Sequence, residues 1–105
     1  MSIVDNQPVQ PYEGKLRLPN REEGEYFALV TVMQTEYIKV MCEDGVERAA
    51  RIPGKLRNRV FIKENDVIIV RKREYEENKV DVVWRFLPLQ VQKLRMQGHL
   101  TNLPI

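Results

Sequence analysis

Five short runs rich in β-branched and aromatic residues follow one another between residues 25 and 86, and turn signals separate most of them. That succession constrains the fold more than any other feature of the chain. The run Glu-Tyr-Phe-Ala-Leu-Val-Thr-Val-Met-Gln at 25–34 reads as a first strand, entered through Gly24. Residues 37–43 alternate, with Ile38, Val40 and Cys42 on one face, and the Asp44-Gly45 pair that follows predicts a type I′ hairpin. Residues 46–52 return with Val46, Arg48, Ala50 and Ile52 on one side and Glu47, Ala49 and Arg51 on the other, until Pro53 and Gly54 stop the strand.

Beyond that break, residues 55–59 predict a single helical turn, 60–62 resume extended structure, and 63–66 form a polar turn. A continuous apolar fourth strand at 67–70 ends in Arg71-Lys-Arg73, and 74–79 read as an exposed charged loop. The fifth strand, 80–86, carries Val80, Val82, Trp84 and Phe86 on one face, which predicts a core position for Trp84. Pro88 suits the first turn of a helix whose natural stop is Gly98, with Leu89, Lys93 and Met96 on one face and Val91 and Leu94 beside it. Met33, Met41 and Met96 read as core filling, and residues 99–105 as a tail. The pattern predicts an all-β, five-stranded oligonucleotide-binding (OB) barrel, with a short helical turn after strand three and a C-terminal helix. The expected division is a flexible arm at 1–20 with Pro8, Pro11 and Pro19, the barrel domain at 21–87, and the helix and short tail at 88–105.

Charge is segregated along this frame. The net charge is only +2, yet residues 48–73 hold nine Lys or Arg against Glu64 and Asp66, so that segment is +7 and the remainder −5. The densest part is Arg51-Ile-Pro-Gly-Lys-Leu-Arg-Asn-Arg59 and its continuation to Lys63, with five basic residues and no acid in thirteen positions. A cationic loop held by sheet on both sides suits an extended polyanion, above all nucleic acid. The OB architecture presents strands two and three to such a ligand, which here carry Lys39, Arg48 and Arg51. Phe61 and Tyr37 are placed for surface stacking on bases.

Other chemistries find less support. One cysteine, Cys42, and one histidine, His99, make neither an internal disulfide nor a zinc site. There is no nucleophile–base pair, carboxylate dyad or phosphate-cradling glycine loop, so neither an enzyme nor a cofactor is expected. Two other classes compete with an RNA-binding factor. One is a generic OB module, binding single-stranded RNA or an acidic protein through the same basic face. The other is a nuclease-like barrel using Glu64 and Asp66 to hold metal beside that face. No apolar run approaches the roughly 20 residues needed to span a bilayer, and the first residues lack a secretion pattern, so a cytoplasmic monomer without membrane contact is expected.

Four segments in order resemble archaeal and eukaryotic translation initiation factor 1A, the counterpart of bacterial initiation factor 1. They are the Arg51–Arg59 stretch, Glu64-Asn-Asp66-Val, Asp81-Val-Val-Trp-Arg85, and Val91-Gln-Lys-Leu-Arg-Met-Gln-Gly-His-Leu100. The likeness runs from about Leu18 to Leu100. It implies an S1-like OB-fold that binds small-subunit rRNA at the decoding A site and aids initiator tRNA placement and subunit dissociation and joining. The implied partners are the small ribosomal subunit, the initiator tRNA complex and other initiation factors, including the subunit-joining GTPase. The short, mixed-charge arm and the acid-free end after His99 resemble the archaeal form, so contacts made by the long eukaryotic tails, including acidic-tail docking onto that GTPase, are not implied. Leu56 stands where many relatives have Met, a conservative apolar change.

With the resemblance, the RNA-facing set expected is Lys39, Arg48, Arg51, Gly54, Lys55, Arg57, Asn58, Arg59, Lys63, Arg71, Lys72, Arg73 and Arg85. Arginine is suited to forked phosphate bonding and base stacking, and each phosphate contact adds salt-dependent affinity.

Overall fold

The computed structural model describes residues 16–34, 37–54 and 62–105. After a single 3-10 turn at Arg21–Glu23 come β1 (Glu25–Met33), β2 (Ile38–Cys42), β3 (Glu47–Arg51), β4 (Val67–Arg73), β5 (Glu76–Arg85) and α1 (Pro88–Met96). The strands close into a barrel in the order β1-β2-β3-β5-β4. Four pairings are antiparallel; the fifth, β3 with β5, is parallel and runs from Ala49↔Lys79 to Arg51↔Asp81. This is the five-stranded OB barrel with a C-terminal helix. The helical turn expected at 55–59 lies outside the described residues.

Two apolar clusters hold the barrel, and they explain why two strands are apolar without alternation. The first fills the interior with Ala28, Val30, Ile38, Val40, Cys42, Ala50, Ile62, Ile68, Val70, Val80 and Val82. The second lies outside the sheet, where Phe27, Leu29, Val67, Ile69 and Phe86 meet Leu94, Leu100 and Leu103. Residues 27–30 and 67–70 are therefore buried on both faces, the condition under which a strand loses its polar alternation. Phe27 and Phe86 anchor the outer cluster with ring centroids 6.0 Å apart.

Several expectations change in the folded chain. The Asp44-Gly45 turn is not type I′, because Asp44 keeps a negative φ and only Gly45 is left-handed, at 84°. Gly45 N donates to Cys42 O and Cys42 N to Val46 O, a three-residue loop with the glycine in the bulge position. Residues 76–79 are not loop. The β4–β5 connection is Glu74-Tyr75 alone, and β5 begins at Glu76. Its register against β4 breaks between Lys72 and Arg73, freeing the strand to turn and pair Lys79 with Ala49 on β3.

The helix turns Val91 and Leu94 to the outer cluster and buries Gln90, whose Oε1 accepts from Leu87 N, leaving Leu89 and Met96 74% and 86% exposed. Met96 is thus not core; Met33 is exposed and Met41 half-buried as well. The expected tail packs, since Leu100 and Leu103 are buried. At the other end of the chain, Leu16 packs on the same cluster and Pro19 is buried. Trp84 packs there too rather than inside the barrel, because the register shift between Ile69 and Val70 inserts Val83 and turns the end of β5 outward. Its indole Nε1 is buried without an acceptor among the described residues, and the Arg17 guanidinium covers the ring at 5.4 Å.

The chain leaves α1 through a Schellman turn: His99 N donates to Leu94 O, Gly98 N to Arg95 O, and Gly98 has φ 81°. A Cβ there would meet nothing within 4 Å, so only the backbone conformation resists a side chain. Gly98→Ala is expected to cost about 1 kcal/mol, read as a melting-temperature drop of about 5 °C. An unchanged melting temperature would show that the turn relaxes to another conformation.

Candidate nucleic-acid interface

The parallel β3–β5 pair builds a surface that neither strand predicts alone. Lys39 on β2, Ala49 on β3 and Lys79 on β5 stand in one cross-strand row on the outside of the barrel. Two long cationic side chains flank a methyl group, which leaves a recess between them. That recess is part of a groove of about 500 Å³ lined by Tyr37, Ala49, Ala50, Arg51, Arg73, Lys79 and Val80. Arg51 and Lys79 are 63% and 59% exposed, and Tyr37 offers an exposed ring at the groove wall. Cations around a small-residue floor, with one aromatic face, suit a phosphate backbone with an unpaired base.

One acid borders this set. Asp81 Oδ1 accepts from Arg73 Nη2 at 3.0 Å and sits 3.6 Å from Arg51 Nε. Arg73 also donates to Glu76 Oε1 at 2.6 Å, and these two carboxylates hold the Arg73 guanidinium firmly protonated. Arg73 in turn keeps Glu76 below its usual range.

Gly54 apart, the expected RNA-facing residues separate into four groups. Lys39, Arg51 and Arg73 converge on the groove or its rim. Arg48 and Lys72 do not face that surface: both turn toward a mouth of the barrel. Arg48 is only 7% exposed; its Nε donates to Glu77 O at 2.7 Å and its Nη groups to both Asp44 oxygens, at 3.1 and 3.0 Å. Lys72 Nζ lies 3.5 Å from Asp44 and 4.5 Å from the Tyr26 ring centroid. Arg48 above all, with Lys72 beside it, brings the Asp44 pKa down to about 2. Burial pushes the Cys42 thiol up, which keeps it protonated beneath this plug.

The third group is Arg71, Lys63 and Arg85. Arg71 is 47% exposed but donates to Glu25 at 2.7 Å. Lys63 is exposed on the rim of a second groove, of about 310 Å³, between the 63–66 turn and α1. Arg85 is largely covered and donates from Nε to Asp66 Oδ2 at 3.2 Å. That same oxygen accepts from Lys63 N, and with Asn65 at φ 74° this builds the predicted polar turn. Gly54 is exposed, and a Cβ on it would meet nothing within 4 Å. Lys55, Arg57, Asn58 and Arg59, the fourth group, lie outside the described residues, as does Phe61.

Lys79 is absent from the expected set because local sequence places it in a charged loop. Only its pairing with Ala49, thirty positions earlier, brings it to the face. The metal-dependent reading loses one of its two acids: Asp66 is committed to Arg85 and Lys63 N, and no three His, Cys, Asp or Glu cluster to hold a metal among the described residues. Among them, no helix is long and apolar enough to cross a membrane.

Fold and face together define a small OB-barrel protein with a basic, aromatic-walled outer surface. Comparison with known proteins gives that class a family. The family described as translation initiation factor 1A / IF-1 matches residues 13–103. Translation initiation factor 1A of the archaeon Archaeoglobus fulgidus is 48% identical over 87 residues, covering 82% of this chain and 90% of that protein. The factor of the same name from Haloarcula marismortui is 43% identical over 86 residues, covering 81% of this chain and 88% of that protein. The structure of YjeQ from Thermotoga maritima shares the fold over 60% of this chain and 23% of that one, with a TM-score of 0.50 and 15% identity. The chain belongs to the translation initiation factor 1A family, whose members are non-enzymatic initiation factors acting on the ribosome.

Proposed function

We propose that this protein binds small-subunit rRNA at the decoding A site, and through that contact aids initiator tRNA placement and subunit dissociation and joining. The observation that carries the reading is the groove bordered by Arg51, Arg73 and Lys79 with Tyr37 on its wall. In sequence, Arg51 is followed through Gly54 by the basic run at Lys55, Arg57 and Arg59. Family membership supplies the ribosome; the surface supplies a means of gripping RNA. Phosphates follow the cations, and an unpaired base rests on the alanine floor against Tyr37. The initiator tRNA complex, other initiation factors and the subunit-joining GTPase are the partners the family resemblance implies, for a cytoplasmic monomer.

Co-sedimentation with purified small subunits tests this directly. The variants are Arg51→Ala/Lys79→Ala in the groove and Lys55→Ala/Arg57→Ala/Arg59→Ala in the basic run. Each lost phosphate contact lowers the slope of log K against log salt by about 0.7–0.9. Affinity at moderate salt is expected to fall at least about tenfold in each variant. Unchanged co-sedimentation of both variants removes the assignment, as does an rRNA footprint away from the decoding site.

A further inference from the structure

The outside of the barrel carries one continuous row of charge to which four strands contribute one residue each. Glu25 on β1 pairs in register with Arg71 on β4, Arg71 with Asp81 on β5, and Asp81 with Arg51 on β3. The signs alternate, and opposite charges directly across a ladder attract. The row ends at Arg51, on the edge of the groove. Asp81, 30% exposed, holds two of the groove's three lining cations: Arg73 at 3.0 Å and Arg51 at 3.6 Å.

An acid bound to the cations of a surface for a polyanion lowers affinity for every polyanion alike, unless it also selects among them. The Arg51 pair is open to solvent and the Arg73 pair only half-buried, so both contribute modestly to folding and stability alone gives no adequate reason for placing the acid there. Its geometry does. A carboxylate shared by two guanidinium groups limits the directions in which they can point, and repels any phosphate seated directly over it. RNA whose phosphates pass to either side, along Lys79 and the outer edge of Arg51, meets no such repulsion. Discrimination of this form rests on an unfavourable contact for the wrong ligand.

We propose that Asp81 is the specificity-determining residue of the RNA face: it positions Arg51 and Arg73 and repels backbones of the wrong path, favouring the folded ribosomal target over generic single strands. This rests on the functional reading above.

The test compares Asp81→Asn, which keeps shape and removes charge, with Asp81→Ser, which removes both. Each is titrated with purified small subunits and with a uridine oligonucleotide across a salt series, below its own melting temperature. Both variants should bind the oligonucleotide about fivefold tighter at low salt, the effect of one surface charge a few ångströms from a phosphate. The salt slope should steepen by about 0.7, as one more phosphate is neutralised. Subunit affinity should stay level or fall, so the preference for subunits drops about fivefold or more. A purely structural role would move both RNAs by the same factor, and that result overturns the proposal, as does no change in either. Arg51→Ala/Lys79→Ala serves as the reference. If it leaves subunit binding intact, the RNA face itself is wrong; if it weakens binding while the Asp81 variants keep the wild-type preference, only the role of Asp81 fails.

Discussion

Replacing Leu100 and Leu103 together by alanine should bring the domain close to unfolding. Both side chains are buried, at 4% and 5% exposure, in the outer cluster with Phe27, Leu29, Val67, Ile69, Phe86 and Leu94. A buried Leu→Ala change costs about 2–5 kcal/mol, depending on how far the site can collapse. These two follow the last helix on a short irregular segment, which can relax, so the lower end applies and the pair costs about 4 kcal/mol. Against a total of about 5–15 kcal/mol for a small domain, that is a large share. Equilibrium urea unfolding of the double variant reads the loss as a shift in midpoint. The damage should also reach function, because the cluster backs β4 and β5, and β5 carries Lys79 and Asp81. A loss below about 1 kcal/mol would show that these leucines only rest on the surface.

That the segment carries core residues is invisible in its sequence, and the reason is physical. Leu100 and Leu103 sit among Gly, His, Thr, Asn and Pro, with no strand or helix period to mark a buried face. Their burial depends on an apolar surface made by β1 and β4, far away in sequence. The same holds for Lys79, whose place on the candidate face is set by a parallel partner thirty residues away. By contrast, the strands and the helix were legible because each is encoded locally: by β-branched runs, by Pro88 at a helix start, by Gly98 at its end. Arg48 is the intermediate case. Alternation already placed it on one side with Ala50 and Ile52, which is the barrel interior, but a basic residue argues for the surface. The barrel mouth resolves the conflict, since a long side chain can bury its stem and still deliver its guanidinium to Asp44. The family was legible for a different reason: its four segments occur in order, and the match at 13–103 covers the same stretch of chain.

Acid should weaken the fold mainly through two carboxylates, and Glu25→Gln isolates one of them. Glu25 is 2% exposed; Oε2 accepts from Arg71 Nη2 at 2.7 Å and Arg17 Nη2 at 3.0 Å, and Oε1 accepts from Asn20 N at 3.0 Å. Burial alone would raise its pKa. The Asn20 hydrogen bond, the Arg71 hydrogen bond and the charges of both arginines outweigh burial and hold it below its ordinary 4.5. Because the folded value is the lower one, the stabilisation is complete above the unfolded pKa and is lost as pH falls through the folded one. Asp44 behaves the same way between its ordinary 3.8 and about 2, and is worth about 1 kcal/mol once its solvent-open side is allowed for. The glutamine keeps the shape of Glu25 but leaves two guanidinium groups without their shared anion. Both arginines retain some access to water, so the cost at pH 7 is about 2 kcal/mol, less than for a fully buried pair. The gap between wild type and variant should then close as the pH falls below the ordinary value of 4.5 and on through the lower folded value, since protonation brings the wild type close to the variant. Denaturant titrations at pH 7, 5, 4 and 3 measure that gap. A difference that stays constant across the series would mean Glu25 contributes by packing alone, and that the Arg17–Glu25–Arg71 cluster does not couple folding to pH.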